Sequence, residues 1–191
     1  TSATTTDGLV CWSRALIGRI RGGLAQVNVL VSMFFAGMNG SVVADTATVG
    51  ALVLPAMKKA GYPAAFSAAV TGVSSTIGGI IPPSIMMIVL ANSTEISIAA
   101  LFAAGIIPGV LIGVVIMIIN HYFAIKYNFE RSDEPFSIRR AGKELYRSSF
   151  ALLIPLVLVG SVMGGVASVV EAGAITAMVA LLTGVFVYRT I

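Results

Sequence analysis

Charge is scarce in this chain: of its 191 residues only 10% are Asp, Glu, Lys or Arg, against roughly a quarter in a typical soluble domain. With 57% hydrophobic residues and a mean hydropathy of +0.97, the chain reads as a polytopic membrane protein. There is one cysteine, Cys11, which excludes an internal disulfide and takes redox chemistry out of the argument. There is one histidine, His121, and it falls where an apolar run meets a polar loop. An intramembrane hydrolase built on Ser41 and Asp45 therefore lacks its base, since no histidine, lysine or second carboxylate shares their segment. The net charge of +4 does not point to nucleic acid, because the basic residues lie between apolar segments rather than in a soluble patch. The opening Thr1-Ser2-Ala3-Thr4-Thr5-Thr6-Asp7 has neither a methionine nor a signal-peptide pattern. The last residues, Arg189-Thr190-Ile191, follow directly on an apolar run, and we expect a piece of a longer polypeptide.

What is present is apolar sequence interrupted in informative places. Leu24 to Met38 and Val42 to Met57 are each short for a span of about 20 residues. The polar Asn39-Gly40-Ser41 lies between them, which predicts a re-entrant helical hairpin over 24–57. Residues 64–91 are long enough to cross, but Gly78-Gly79-Ile80-Ile81-Pro82-Pro83-Ser84 breaks them in the middle and predicts a discontinuous transmembrane helix. Further spans are expected over 96–125, 148–170 and 172–191. Residues 126–147 contain six basic and four acidic side chains and read as a solvated basic connector. Residues 1–23 read as an interfacial amphipathic segment with Trp12 in the headgroup layer, or as part of a longer helix.

Lys and Arg favour cytoplasmic loops, which tests this layout. With Arg14, Arg19 and Arg21 inside, a re-entrant hairpin returns Lys58 and Lys59 to the same side. The broken segment then places Glu95 outside, the next span returns Lys126, Arg131, Arg139, Arg140, Lys143 and Arg147, and Glu171 lies outside. A single crossing in place of the hairpin would put Lys58 and Lys59 opposite the first arginines.

In a bilayer, broken backbone is tolerated only where protein or a water-filled cavity satisfies the freed amides and carbonyls, and such places bind transported ions and solutes. Asn39, Gly40 and Ser41 offer the hard oxygen donors that Na+ prefers. Asp45 lies one helical turn beyond Ser41 and is the only ionisable residue between Arg21 and Lys58. It is read as tuning an ion site, accepting a proton, or bracing the hairpin. In the second break, Ser74, Ser75 and Thr76 can bond back to carbonyls, while the glycines and prolines permit unwinding. A half-helix starting near Pro83 and Ser84 would aim its positive end into the membrane, which suits a carboxylate. Gly105, Gly109 and Gly113, and again Gly160 and Gly164, are small-residue stripes expected to serve helix packing.

Taken together, Gly22-Gly23-Leu24-Ala25, Phe35-Ala36-Gly37-Met38-Asn39-Gly40-Ser41-Val42-Val43-Ala44-Asp45, Pro55-Ala56-Met57-Lys58-Lys59-Ala60-Gly61-Tyr62 and Ile80-Ile81-Pro82-Pro83-Ser84 resemble the large membrane subunit of TRAP (tripartite ATP-independent periplasmic) transporters. Ala104-Gly105-Ile106-Ile107-Pro108-Gly109 and Glu171-Ala172-Gly173-Ala174 fit the same family, and the resemblance covers the middle portion of that subunit. It implies an all-α, elevator-type importer in the bacterial inner membrane, of which this chain carries the first half of an inverted repeat and the start of the second. It further implies Na+ as the coupling ion, no other cofactor, and no enzyme activity. The implied partners are a small four-helix membrane subunit and a periplasmic binding protein that delivers an organic acid of the C4-dicarboxylate or sialic acid type. Carried onto this sequence, the implied Na+ site comprises Asn39, Gly40, Ser41, Thr76, Gly78, Gly79 and Pro82, supported by Asp45. The solute would lie beside Ser41, Ser75, Pro83 and Ser84. Gly79 departs from the family, which commonly has proline there, and this should loosen the break. The alternative is a related stand-alone Na+-coupled carboxylate carrier that needs no binding protein.

Overall fold

The computed structural model describes residues 21–129 and 155–182, and among these the ordered elements are all helical. Helix α1 spans Gly23–Asn39 and α2 spans Val42–Lys59, joined by Gly40 and Ser41 alone. Helix α3, Ala64–Ser75, tightens into a 3₁₀ turn over Thr76–Gly79. After an irregular stretch the chain resumes as α4, Ile85–Thr94, and then α5, Ile98–Lys126. A helix over 155–163 is α6, and Val169–Leu182 form α7.

Side-chain contacts fix the helix directions. Asn28, early in α1, reaches Met57 near the end of α2, so these two run antiparallel. Asn28 also meets Thr71 of α3, and Gly37 lies beside Pro82, so α3 runs parallel to α1. Gln26 bonds the Met117 carbonyl at 2.8 Å while Met33 packs on Gly113, which makes α5 antiparallel to α1. The core of this four-helix unit is β-branched and small: Val27, Val31, Val49, Val53, Val70 and Ile77 are buried together with Met57 and Phe35. A second, smaller core joins Phe102 of α5 to Val162 of α6 and Ala172 of α7.

Helix α5, with 29 residues, is long and apolar enough to cross a membrane, and it is the only such helix among the described residues. Its glycines form the expected packing stripe. A Cβ on Gly105 would lie 2.5 Å from the Ile80 carbonyl oxygen, one on Gly109 2.4 Å from Ile81, and one on Gly113 2.5 Å from the Met33 sulfur. The glycines thus admit the break and the middle of α1 directly against the α5 backbone. The junction of hairpin and break consequently lies beside Gly105 and Gly109, on the order of 15 Å in from the start of α5 at 1.5 Å per residue.

The opposite end of the unit carries every Lys and Arg among the described residues: Arg21, Lys58, Lys59 and Lys126. An aromatic cluster closes that end, with the Tyr62 ring 4.6 Å and the Phe66 ring 5.1 Å from Phe129. Glu95 caps α4 at the other end.

Three boundaries differ from expectation. The break begins at Thr76 rather than Gly78, because hydroxyl back-bonding from Thr76 to the Val73 carbonyl and the two following glycines favour the tighter turn. The helix expected to run to 170 ends at 163, where Gly164 and Gly165, the latter at φ 66°, turn the chain. The helix expected from 172 starts at Val169, and Glu171 is in its first turn rather than in a loop. Its carboxylate accepts from the Ser168 amide and hydroxyl, both at 2.8 Å, a capping box that the sequence Ser168-Val169-Val170-Glu171 encodes. The second small-residue stripe does not pack as the first does: Gly160 has nothing within 4 Å among the described residues, and Gly164 meets only its own segment. The expected amphipathic segment with Trp12, Arg14 and Arg19, most of the basic connector, residues 148–154 and the last nine residues lie outside the described residues.

Gly105→Val, tested in the full-length parent protein in detergent, should destabilise by about 1–3 kcal/mol, since the new side chain meets the Ile80 carbonyl, which cannot give way, as well as the end of the Met87 side chain, which can. Gly173→Ala, with nothing within 4 Å among the described residues and a place inside α7, should instead stabilise slightly, by about 0.5–1 kcal/mol.

Candidate functional site

The two interrupted elements meet. Gly40 ends α1 in the left-handed region at φ 59°, and its carbonyl accepts from the Ile85 amide at 3.2 Å, the first residue of α4. A Cβ on Gly40 would stand 2.3 Å from the Pro83 carbonyl oxygen. Only glycine satisfies both demands, the backbone conformation and the close approach. On the other flank the backbone of Ser41 and Val42 comes within 3.8 Å of where a Gly78 side chain would begin. The hairpin tip therefore sits on the irregular stretch 78–85 as one junction.

Each part of the junction is locally self-satisfied. The Asn39 side-chain oxygen accepts the Ser41 amide at 3.0 Å, which shapes the turn. Ser41 caps the start of α2 by accepting the Ala44 amide at 3.4 Å, and Ser84 caps α4 by accepting the Met87 amide at 3.4 Å. The Ser84 hydroxyl in turn donates to the Gly79 carbonyl at 2.8 Å. This bond ties the two ends of the stretch 79–84 together. The peptide between Pro82 and Pro83 is cis.

Four helix ends converge here. The carbonyl ends of α1 and of the α3–3₁₀ element face the amide ends of α2 and α4. Each carbonyl end carries about half a unit of negative charge and each amide end about half a unit of positive charge. Hard oxygen donors and anion-attracting amides are thus adjacent.

The candidate residues separate by accessibility. Asn39, Ser41, Gly79 and Pro83 are partly exposed, and Thr76 is exposed. Ser75 and Ser84, expected beside a solute, are both fully buried. Ser75 donates to the Thr71 carbonyl at 2.8 Å, and Ser84 is occupied as cap and tie. Their hydroxyls hold the backbone rather than line an open face, because a serine one turn after a free carbonyl or ahead of a helix start finds its nearest partner in the main chain. Of the four expected solute contacts, Ser41 and Pro83 remain at the surface.

Asp45 is 0% exposed, and both its carboxylate oxygens lack a hydrogen-bond partner among the described residues. The Ser75 and Ser32 hydroxyls face it, yet Ser75 is turned to its own helix and Ser32 pairs with Ser74 at 3.2 Å. Beside it runs a polar chain that sequence reasoning missed. The Asn28 amide donates to the Thr71 hydroxyl at 2.7 Å and accepts from the Ser74 hydroxyl at 3.2 Å. Asn28, Ser32, Thr71 and Ser74 are all buried. The signal was present as polar residues four apart on α1, Asn28 and Ser32, facing a hydroxyl-rich end of α3.

A discontinuous helix seated on a helical hairpin, beside an apolar helix of membrane-crossing length, is the architecture of an α-helical membrane protein. All 191 residues match the family described as "Tripartite ATP-independent periplasmic transporter, DctM component". The chain is 35% identical over 189 residues to the C4-dicarboxylate TRAP transporter large permease protein DctM of Pseudomonas aeruginosa, covering 97% of this chain and 44% of that protein. It is 36% identical over 185 residues to the sialic acid TRAP transporter permease protein SiaT of Haemophilus influenzae, covering 96% of this chain and 30% of that one. It is 36% identical over 174 residues to the 2,3-diketo-L-gulonate TRAP transporter large permease protein YiaN of Escherichia coli, covering 91% and 41%. The chain therefore belongs to the DctM family of TRAP transporter large permeases, a family of transporter subunits rather than enzymes. It spans less than half the length of these relatives.

Gly40→Ala should destabilise the full-length parent by about 2–4 kcal/mol, adding the left-handed penalty to the clash with Pro83. Gly61→Ala, at φ 78° with nothing within 4 Å, should cost only the conformational part, about 1–2 kcal/mol. Thermal unfolding of the two variants side by side separates the close approach from the backbone conformation.

Proposed function

We propose that this chain is the ion- and solute-binding part of the large membrane subunit of a Na+-coupled organic-acid importer in the bacterial inner membrane. The observation that carries this reading is the seating of the hairpin tip on the break, with two carbonyl ends and two amide ends converging at Gly40. Na+ is cargo here, held by oxygens of Asn39, Gly40, Ser41, Thr76, Gly78, Gly79 and Pro82. A carboxylate of the solute lies beside Ser41 and Pro83, drawn by the amide ends of α2 and α4. Ser75 and Ser84 act from beneath by holding the backbone that presents those groups.

On this reading α1 and α2 form a re-entrant hairpin. Support comes from the depth of the tip, level with Gly105 and Gly109 of α5 rather than with either end of that helix. It comes also from the return of Lys58 and Lys59 to the end that carries Arg21 and Lys126, which we assign to the cytoplasm. The hairpin shares one core with the first half of the broken helix and is bonded to the second half through Gly40 and Ile85, so on this reading they move as one body in an elevator-type transport step. Na+ ordering the tip completes the solute site, so neither ligand is carried favourably alone. A small four-helix membrane subunit and a periplasmic binding protein complete the transporter. The solute is an organic acid of the kind named for the relatives, a C4-dicarboxylate or a sialic acid.

The test is uptake into proteoliposomes holding the full-length parent, its small subunit and its binding protein, with succinate and N-acetylneuraminate supplied separately. Uptake should require both an inward Na+ gradient and the binding protein. Sodium-driven uptake without the binding protein would move the assignment to a stand-alone carrier. Ser41→Ala should raise the Na+ concentration for half-maximal uptake about tenfold, and an unchanged Na+ dependence would remove Ser41 from the ion site.

A further inference from the structure

Asn28 is the side chain through which all three helices of the hairpin unit are hydrogen-bonded. It stands on α1, donates to the Met57 sulfur of α2 at 3.7 Å and to the Thr71 hydroxyl of α3 at 2.7 Å, and accepts from Ser74 of α3 at 3.2 Å. The Thr71 hydroxyl is itself committed as donor to the Ser67 carbonyl at 2.9 Å. It can therefore only accept from Asn28, and this fixes which way the Asn28 amide points. The Ser74 hydroxyl shares its one proton between the Asn28 amide oxygen at 3.2 Å and the Thr71 carbonyl at 3.1 Å, which leaves it to accept from Ser32, so the chain runs from Ser32 to Ser74, Ser74 to Asn28, Asn28 to Thr71 and Thr71 to Ser67. Such a chain is cooperative and, fully buried, costly to break.

The rest of the α1–α3 contact is small and apolar, which resists separation but does little to fix sliding along the helix axes. Hydrogen bonds are directional and do fix it. Slippage of α3 by one residue against α1 would shift the 3₁₀ turn by about 1.5 Å relative to the hairpin tip. A metal site tolerates only about 0.2 Å in its ligand distances. Ser74 lies two residues before the first residue of that turn, so the register set at Asn28 is passed to Thr76–Gly79 almost without slack.

We propose that Asn28 is a positioning residue for the coupling ion: by locking the axial register of α3 on α1, it aligns the carbonyls of the 3₁₀ turn with the hairpin tip. The inference rests on the Na+ site proposed above.

The experiment measures initial uptake against Na+ concentration in proteoliposomes of the complete transporter, for wild type, Asn28→Leu, Thr71→Val, Thr71→Ser and the Asn28→Leu/Thr71→Val pair. Asn28→Leu and Thr71→Val should each raise the Na+ half-saturation at least fivefold, with the maximal rate at saturating Na+ kept within twofold. Thr71→Ser, which retains the hydroxyl, should behave as wild type. The pair should show no more than the larger single effect, because Asn28→Leu already removes the bond to Thr71 that Thr71→Val would remove. An unchanged Na+ half-saturation in Thr71→Val, or multiplied effects in the pair, would overturn the positioning role while leaving the Na+ reading intact. Should Asn28→Leu fail to fold, the contrast between Thr71→Val and Thr71→Ser decides the matter alone. A wild-type protein indifferent to Na+ would overturn both.

Discussion

The hydrogen bond from the Ile85 amide to the Gly40 carbonyl is the interaction on which the rest depends. Helices that stop at the junction leave main-chain groups without an intrahelical partner, and a group of this kind left buried and unpaired costs on the order of a few kcal/mol. Here each interruption answers part of the other's need. The remainder is met locally, by Asn39 and Ser41 on one side and Ser84 on the other. Neither break is stable as drawn without its counterpart, which explains why α1, α2, α3 and the 3₁₀ turn share one continuous core. The glycine stripe on α5 serves the same end, since larger side chains at 105 and 109 would push the break away from its support.

Polar groups in an apolar bundle are normally a burden, yet this unit buries a connected set of them. The chain from Ser32 to Ser67 is fully paired and holds α3 to α1. Asp45, one helix away, has no hydrogen-bond partner among the described residues. A buried carboxylate beside a satisfied hydroxyl chain has a local choice open to it: Ser32 and Ser75 can rotate toward it only by giving up Ser74 and the Thr71 carbonyl. The cost of solvating Asp45 from within is therefore coupled to the register of the same helices that form the junction.

The helical hairpin and the broken helix were legible because they rest on helix-breaking residues inside apolar runs, where composition leaves few alternatives; their juxtaposition was expected only from the family resemblance. The family was legible for the same reason: Asn39-Gly40-Ser41 and Ile80-Ile81-Pro82-Pro83-Ser84 encode backbone geometry, which tolerates little change. Burial of individual hydroxyls was not legible. Ser75 and Ser84 look like ligands in one dimension, but whether a serine bonds its own helix or faces a site depends on a rotamer and on neighbours distant in sequence. The role of Asn28 was hidden for a related reason, since its partners lie 29 to 46 residues away and no local pattern announces them. The end of the helix at 163 was missed because Gly164 and Gly165 read equally well as a packing motif and as a stop signal.

The convergence of helix ends has an electrical consequence. Two carbonyl ends and two amide ends, each worth about half a charge, sum to nearly nothing, so the junction has almost no net charge and its field falls off with distance faster than that of a single helix end. It attracts neither a lone cation nor a lone anion over long range, and its polarity is felt only within a few ångströms. A cation and a carboxylate bound side by side would leave that balance undisturbed. On the proposed reading, the body that crosses the bilayer would then carry no net charge from this pair, and the membrane would oppose the loaded junction far less than a half-loaded one.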